Sequence, residues 1–142
     1  IYVMHTNFDH APGGVNDVLA DLLGLSDRTV MSLGLTGICT RSPGEISSLL
    51  HAPLRIWGTF REIRRLAVAA GSGFDPVLFG EAVAAGADAF LSAELKHSVA
   101  RSSPLLLLES THYALEAPAM KALAVRQSWE YLDDPPLLTS DP

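Results

Sequence analysis

Residues 65–92 read RLAVAAGSGFDPVLFGEAVAAGADAFLS and contain the pattern that decides the fold. The apolar run Leu66 to Ala70 predicts a short buried strand. Asp75-Pro76 is typical of a helix start, and Gly86 is typical of the residue that closes such a helix. Ala87 to Ser92 then predicts a second strand. Continuous apolar strands that alternate with helices indicate a mostly parallel sheet with helices on both faces.

The same rhythm extends to both sides of this segment. Upstream, the apolar spacing and the caps predict a strand over 1–4, a helix over 15–23, one or two edge strands over 28–38 and a helix from the Ser42 cap through Leu50. Downstream, they predict a helix over 94–101, a strand over 105–108, a helix from the Thr111 cap to about Arg126 and a final strand over 129–132. We therefore predict an α/β fold, as a single domain over 1–132 with a loose tail over 133–142.

Composition narrows the class of protein. The chain has 142 residues, 48% of them hydrophobic, and a formal net charge of −6 with only 10 Lys and Arg. This charge disfavours a nucleic-acid partner. A single cysteine, Cys39, excludes an internal disulfide, and no apolar run reaches the length of a membrane span. We expect a cytoplasmic protein. Because Ile1 stands inside a predicted strand, we also expect that a preceding segment is missing.

Three side chains are candidates for metal ligands. His112 and Glu116 are four residues apart on a predicted helix, which places both on one face. Asp9 follows a polar run at the end of the first predicted strand, and a carboxylate can bridge two cations. Imidazole nitrogen and carboxylate oxygen both suit divalent metals. The commoner uses of such residues are a solvated His–Glu contact and a turn-forming or helix-capping Asp.

Other polar residues near the predicted strand ends leave alternatives open. His5 and His97 each suit a ligand, a proton shuttle or a group that orients a carboxylate, although a structural histidine is the commoner case. Gly71-Ser72-Gly73 has amides that suit an anion, but a tight turn is the commoner use of such a segment. Cys39 has no obvious base beside it.

Several motifs follow one another in an order that resembles a known family. They are His5-Thr6-Asn7-Phe8-Asp9, Ala11-Pro12-Gly13-Gly14-Val15-Asn16-Asp17, Gly71-Ser72-Gly73, Gly86-Ala87-Asp88-Ala89, Leu95-Lys96-His97 and Thr111-His112-Tyr113-Ala114-Leu115-Glu116. Over about residues 1–124 the chain resembles the NIF-three-like dinuclear metal-centre proteins, also called GTP cyclohydrolase I type two homologues.

The resemblance implies a site and an assembly. Asp9 would bridge two divalent ions, and His112 and Glu116 would be further ligands. In the family, a His-His pair near the N-terminus completes the site; this sequence has no such pair, which would lie before Ile1. The ions would be Zn, Fe, Mn, Co or Ni, two per full-length subunit. The stretch 28–64 is too short for the domain that some relatives insert. We expect a homo-hexamer.

Three functions compete at this point. The first is a metal-dependent hydrolase that opens the ring of a purine nucleotide such as GTP, with His97 or His5 as the proton shuttle. The second is a non-enzymatic metal-binding ring assembly or scaffold. The third is a degenerate relative that keeps the fold without a metal.

Overall fold

A computed structural model of the chain describes residues 1, 3–59 and 62–136. The strands are β1 (Ser26–Val30), β2 (Leu35–Ile38), β3 (Arg55–Trp57), β4 (Arg65–Val68), β5 (Ala89–Ser92) and β6 (Leu106–Glu109). The helices are α1 (Thr6–Asp9), α2 (Val15–Leu23), α3 (Pro43–Leu50), α4 (Pro76–Ala84), α5 (His97–Ser102) and α6 (His112–Gln127). Within the described ranges, the strands form one six-stranded sheet in the order β1-β2-β4-β5-β6-β3.

The sheet is mixed in direction. Strands β4, β5 and β6 are parallel, as the helical crossovers between them require. The other three pairings of the described sheet, β1 with β2, β2 with β4 and β3 with β6, are antiparallel. The α/β class is confirmed, but the expectation of a mostly parallel sheet holds only for its centre. The short connection between β1 and β2 allows only a hairpin, since a parallel crossover needs a dozen or more residues.

Helices cover both faces of the sheet, as the sequence predicts. Alternate residues of the central strands point to opposite sides, so that Val68 and Leu91 pack on one face and Phe90 on the other. The first face is covered by α2, α3 and α6. On the second face, α4 contributes Phe79, whose ring meets that of Phe90 edge to face with centroids 5.3 Å apart. The core is therefore two apolar layers separated by the sheet.

The predicted caps define the helix ends. The Ser42 side chain accepts a hydrogen bond from the Glu45 N–H, and the Glu45 side chain accepts one from the Ser42 N–H, which together form a capping box. Thr111 caps α6 by accepting from the Ala114 N–H at 3.1 Å. Gly24 ends α2 in the left-handed conformation. These local signals placed α2, α3, α4 and α6 within one or two residues of their observed bounds.

Two predicted strands are wrong, and one observed strand was not predicted. Ile1 and Val3 are exposed and lie outside the sheet, and Tyr2 lies outside the described residues. Residues 129–132 also pair with no described strand. The place beside β6 is taken instead by β3, which pairs with it antiparallel. A strand of three residues is too short to show an alternating pattern, whereas pairing partners are set by tertiary contacts.

Two further features concern the C-terminal residues and the apolar character of the helices. Residues 133–136 have no regular structure, although Asp133 accepts a hydrogen bond from the Tyr113 hydroxyl; residues 137–142 of the predicted tail lie outside the described part. None of the helices in the described part combines the length and the apolar character that crossing a membrane requires.

Candidate metal centre

His112 and Glu116 meet on the first turns of α6, as their spacing predicts. The His112 Nε2 atom lies 2.9 Å from Glu116 Oε1. Gly71, in the turn after β4, faces both: a Cβ there would lie 3.1 Å from Glu116 Oε1 and 3.3 Å from His112 Nε2. Gly71 also has φ +73°, which disfavours any other residue. Glycine at position 71 therefore lets the turn after β4 pass close to both side chains.

The other ring nitrogen of His112 is held by a residue that the sequence analysis missed. Glu94 Oε1 lies 2.7 Å from His112 Nδ1. Glu94 follows β5 at the same sheet edge, and it adopts a positive φ of 60° although it is not glycine. Such backbone strain is concentrated at functional sites. The sequence did contain a signal for Glu94, because its carboxylate follows just after a predicted buried strand. Ligands bind at this edge of open α/β sheets.

Asp9 is the last residue of α1, a four-residue helix where the sequence predicts a loop. Buried Asn16 positions it: the Asn16 amide donates to the Asp9 carbonyl at 3.0 Å, and its oxygen accepts from the Ala70 N–H at 2.8 Å. Gly14 allows the chain to turn closely here, since a Cβ would lie 1.9 Å from the Phe8 carbonyl oxygen. The Gly-Gly-x-Asn motif therefore ties Asp9 to the end of β4.

The two carboxylates of the site are poorly neutralised. Burial raises the pKa of Asp9, and the nearby charges of His5, His10 and His112 oppose that rise only in part. Burial also raises the pKa of Glu116; His112 opposes it, and the negative charge of Asp9 raises it further. The charges of Asp9, His112 and Glu116 therefore act on one another, whereas the predicted sharing of a metal ion by these three side chains stays a prediction.

The grouping falls short of a complete ligand set. Across residues 1, 3–59 and 62–136, no three or more His, Cys, Asp or Glu side chains are arranged so that they could hold a metal ion. His112 and Glu116 contact each other directly, whereas Asp9 interacts with them through charge. Of the three predicted ligands, only His112 and Glu116 are therefore in direct contact.

The two candidate proton shuttles differ in position. The charge of His5 acts on both Asp9 and Glu116, so His5 lies beside the site. His97 is exposed at the start of α5 and is absent from the groups that act on either carboxylate. Its neighbour Lys96 is exposed as well. Of the two histidines, only His5 has a charge that acts on the predicted carboxylate ligands.

The candidate anion-binding segment Gly71-Ser72-Gly73 and the candidate nucleophile Cys39 both have surroundings that favour a structural role. The N–H of Gly73 donates to the buried Ser92 hydroxyl at 2.8 Å, and that hydroxyl donates to the Gly71 carbonyl at 2.9 Å. The segment Gly71-Ser72-Gly73 is therefore a turn that the Ser92 hydroxyl holds together by hydrogen bonds. The Gly73 N–H already donates to this hydroxyl and is not free to bind an anion. Cys39 is buried, and burial raises the pKa of its thiol, which disfavours a reactive thiolate.

Comparison with known proteins settles the family. The sequence profile of Duf34/NIF3 (NGG1p interacting factor 3) matches residues 1–130. The chain belongs to the Duf34/NIF3 family. This confirms the resemblance that the motifs carry. Among curated family relatives, the GTP cyclohydrolase 1 type 2 homolog of Methanothermobacter thermautotrophicus is 33% identical over 84% of this chain and 56% of its own length. The homolog of Streptomyces coelicolor is 36% identical over 83% of this chain and 50% of its own length.

Solved structures agree with the Duf34/NIF3 fold. Reduced HcgD from Methanocaldococcus jannaschii has a TM-score of 0.72 at 27% identity, covering 89% of this chain and 56% of that one. TTHA1606 from Thermus thermophilus has a TM-score of 0.71 at 27% identity, covering 96% and 62%. This chain spans about half the length of the curated Duf34/NIF3 relatives above.

Proposed function

We propose that this chain supplies part of a divalent-metal centre in a metal-dependent hydrolase. One observation carries the proposal: the His112 ring lies between two carboxylates, with Glu116 Oε1 2.9 Å from Nε2 and Glu94 Oε1 2.7 Å from Nδ1. Histidines that bind metals commonly donate their second ring N–H to a carboxylate in this way. The arrangement is more specific than the solvated His–Glu pair that spacing alone would suggest.

The surrounding charges suit a cation. Asp9 and Glu116 are partly buried carboxylates whose pKa values are raised, mainly by burial, with histidines as the opposing charges. A divalent ion between them would offset both negative charges. The donor set of imidazole nitrogen and carboxylate oxygen suits Zn, Fe, Mn, Co or Ni. Further ligands would come from the rest of the protein, as the family resemblance implies, with Asp9 bridging two ions.

Each residue then has a role in the proposed site. A bound divalent ion would act as a Lewis acid on the attacked group of the substrate. Asp9, His112 and Glu116 would hold ions at this sheet edge, and Asn16 would keep Asp9 in place through its backbone. His5, whose charge reaches both carboxylates, is the better placed proton shuttle of the two histidines considered. His97 is not among the charges that act on these carboxylates, so His5 is preferred.

The proposed substrate class is a purine nucleotide. The support is the name that the curated relatives share, GTP cyclohydrolase 1 type 2 homolog. Hydrolytic ring opening of such a base needs an activated water and a polarised carbon, which a metal centre can provide. We also propose self-association, as a homo-hexamer. Exposed Met120, Val125, Trp129 and Leu132 on and after α6 offer apolar surface for it.

The test separates metal binding from turnover. We expect the purified full-length protein to contain a divalent metal, and Asp9→Ala and His112→Ala to lower its metal content and weaken Zn²⁺ binding by about tenfold or more while circular dichroism stays unchanged. Hydrolysis of a panel of nucleotides should stop when a chelator removes the metal. Metal content unchanged by both substitutions would refute the site, and turnover that survives the chelator would refute the metal mechanism. Bound metal without turnover of any nucleotide would favour a metal-binding assembly.

A further inference from the structure

We propose that Glu94 is a positioning residue for His112, which makes Nε2, and not Nδ1, the nitrogen that a divalent cation meets. This inference rests on the proposed metal site and adds a residue to it. The carboxylate oxygen of Glu94 lies 2.7 Å from Nδ1, while Nε2 lies 2.9 Å from Glu116 on the other side of the ring. The ring is therefore held between two carboxylates with different tasks.

The backbone at Glu94 indicates that its side chain matters. Its φ of 60° lies in the left-handed region, where glycine is the least strained residue. Glu94 lies between β5 and α5, outside both elements, and its side chain is 60% exposed. The contact that its carboxylate makes is with His112. Glu94 has a strained backbone, is exposed and contacts a candidate metal ligand. Its contact with His112 explains these features better than a contribution to local stability does.

The turn that carries Glu94 is anchored from the neighbouring strand. The N–H of Leu95 donates to Glu109 Oε1 at 3.1 Å, and Glu109 is the last residue of β6. Three residues later the chain enters α6 at His112. The positions of Glu94 and His112 are thus both fixed by the end of β6. The sheet therefore sets the distance between their side chains.

This contact has two physical consequences. In the metal-bound protein, a carboxylate that accepts from Nδ1–H would leave the Nε2 lone pair for the cation, which would replace the proton between Nε2 and Glu116, and it would make that nitrogen a stronger ligand. It also restricts rotation of the ring. Loss of such partners weakens metal affinity by about 10-fold to 100-fold. Because the Glu94 side chain is 60% exposed, we expect an effect near the lower end of that range.

Zinc affinity tests the proposal directly. Zn²⁺ would be titrated into the full-length protein in competition with a chromophoric chelator. We expect Glu94→Ala to weaken binding about tenfold, and Glu94→Gln to weaken it less, because the amide oxygen still accepts from Nδ1–H. Glu94→Gly should weaken it as much as Glu94→Ala while keeping the wild-type resistance to urea, since glycine relieves the positive φ. Glu62→Ala, which removes an exposed carboxylate that pairs with Arg64, is the matched control and should bind as wild type.

A spectroscopic readout distinguishes positioning from general stability. In ¹⁵N–¹H spectra of the zinc-loaded protein, we expect the proton of His112 to reside on Nδ1 and to exchange slowly with water. In Glu94→Ala it should exchange faster, and Glu94→Gln should restore part of the protection. Unchanged zinc affinity and unchanged ring signals in Glu94→Ala, together with loss of zinc in His112→Ala, would overturn this inference alone. Retention of zinc in His112→Ala would overturn the proposed site and this inference with it.

Discussion

Glu109 lies at the same end of the sheet as the pair Asp9 and Glu116, but the charge of Glu109 is neutralised in a different way from the charges of that pair. Glu109 is buried at the end of β6. Burial tends to raise its pKa, but hydrogen bonds from Arg55 and the Leu95 N–H outweigh that effect, and its pKa lies below the ordinary value. Asp9 and Glu116 have no lysine or arginine among the charges that act on them, and their pKa values lie above the ordinary values.

The difference separates a carboxylate that the fold itself neutralises from the two carboxylates of the proposed metal site. The Glu109 carboxylate is satisfied by the protein itself: Arg55 Nη2 lies 2.7 Å from it and the Trp57 indole donates at 3.3 Å. Asp9 and Glu116 carry negative charge that the described part of the chain offsets only with histidines. Perturbed carboxylates of this second kind are more often found at binding sites. Three measurements test this contrast, in order of decreasing effect.

The largest effect is expected at Arg55. Arg55→Ala leaves buried Glu109 without its cation, which should lower the free energy of unfolding by clearly more than the loss of an exposed ion pair does, because the remaining carboxylate is buried. Urea denaturation at pH 7 measures this. Arg64→Ala removes an arginine from an exposed pair with Glu62 and should change stability by less than about 0.5 kcal/mol. Equal effects of the two substitutions would remove the distinction between Glu109 and a surface carboxylate.

The change of the Arg55→Ala effect with pH should be smaller than the effect itself, because it reports only the protonation of Glu109. The folded-state pKa of Glu109 is lowered from its ordinary value of 4.5. Its stabilising contribution is therefore present above that value and is lost as the pH falls through the folded-state pKa. The gap between wild type and Arg55→Ala in urea titrations should narrow as the pH falls below 4.5 and through the folded-state pKa of Glu109. A gap that widens on acidification would mean that Glu109 is not the ionised partner.

The smallest effect, and one of opposite sign, is expected at Asp9. In metal-free protein, Asp9→Asn removes a negative charge near Glu116 and should raise the free energy of unfolding by about 0.5 kcal/mol, because the site is open to solvent. Asp17→Asn is the comparison within the same loop: its carboxylate accepts from the Gly13 N–H at 2.7 Å, so stability should not rise. Destabilisation by Asp9→Asn would indicate the turn-forming or capping role that is the commoner use of such a residue.

Local patterns explain what could be predicted. Helices α3 and α6 were found from Ser42 and Thr111, whose capping partners lie three residues further along the chain. The contact between His112 and Glu116 was also foreseeable, because a helix brings residues four apart together. The central strands were recognised from continuous apolar runs. By contrast, β3 has no local pattern, and residues 129–132 have strand-like composition but no described strand beside them.

The sequence by itself determined the ends of α2, α3, α4 and α6, the apolar central strands, the family motifs and the pairing of two candidate ligands on one helical turn. Only the tertiary structure decided that Glu94 holds His112, 18 residues away, and that Asn16 joins Asp9 to Ala70, 54 residues from Asn16. It also decided which carboxylate has an arginine and which does not. The physical reason is range: caps and periodicity act within a few residues, whereas burial and charge neutralisation depend on which distant segments the sheet brings to one edge.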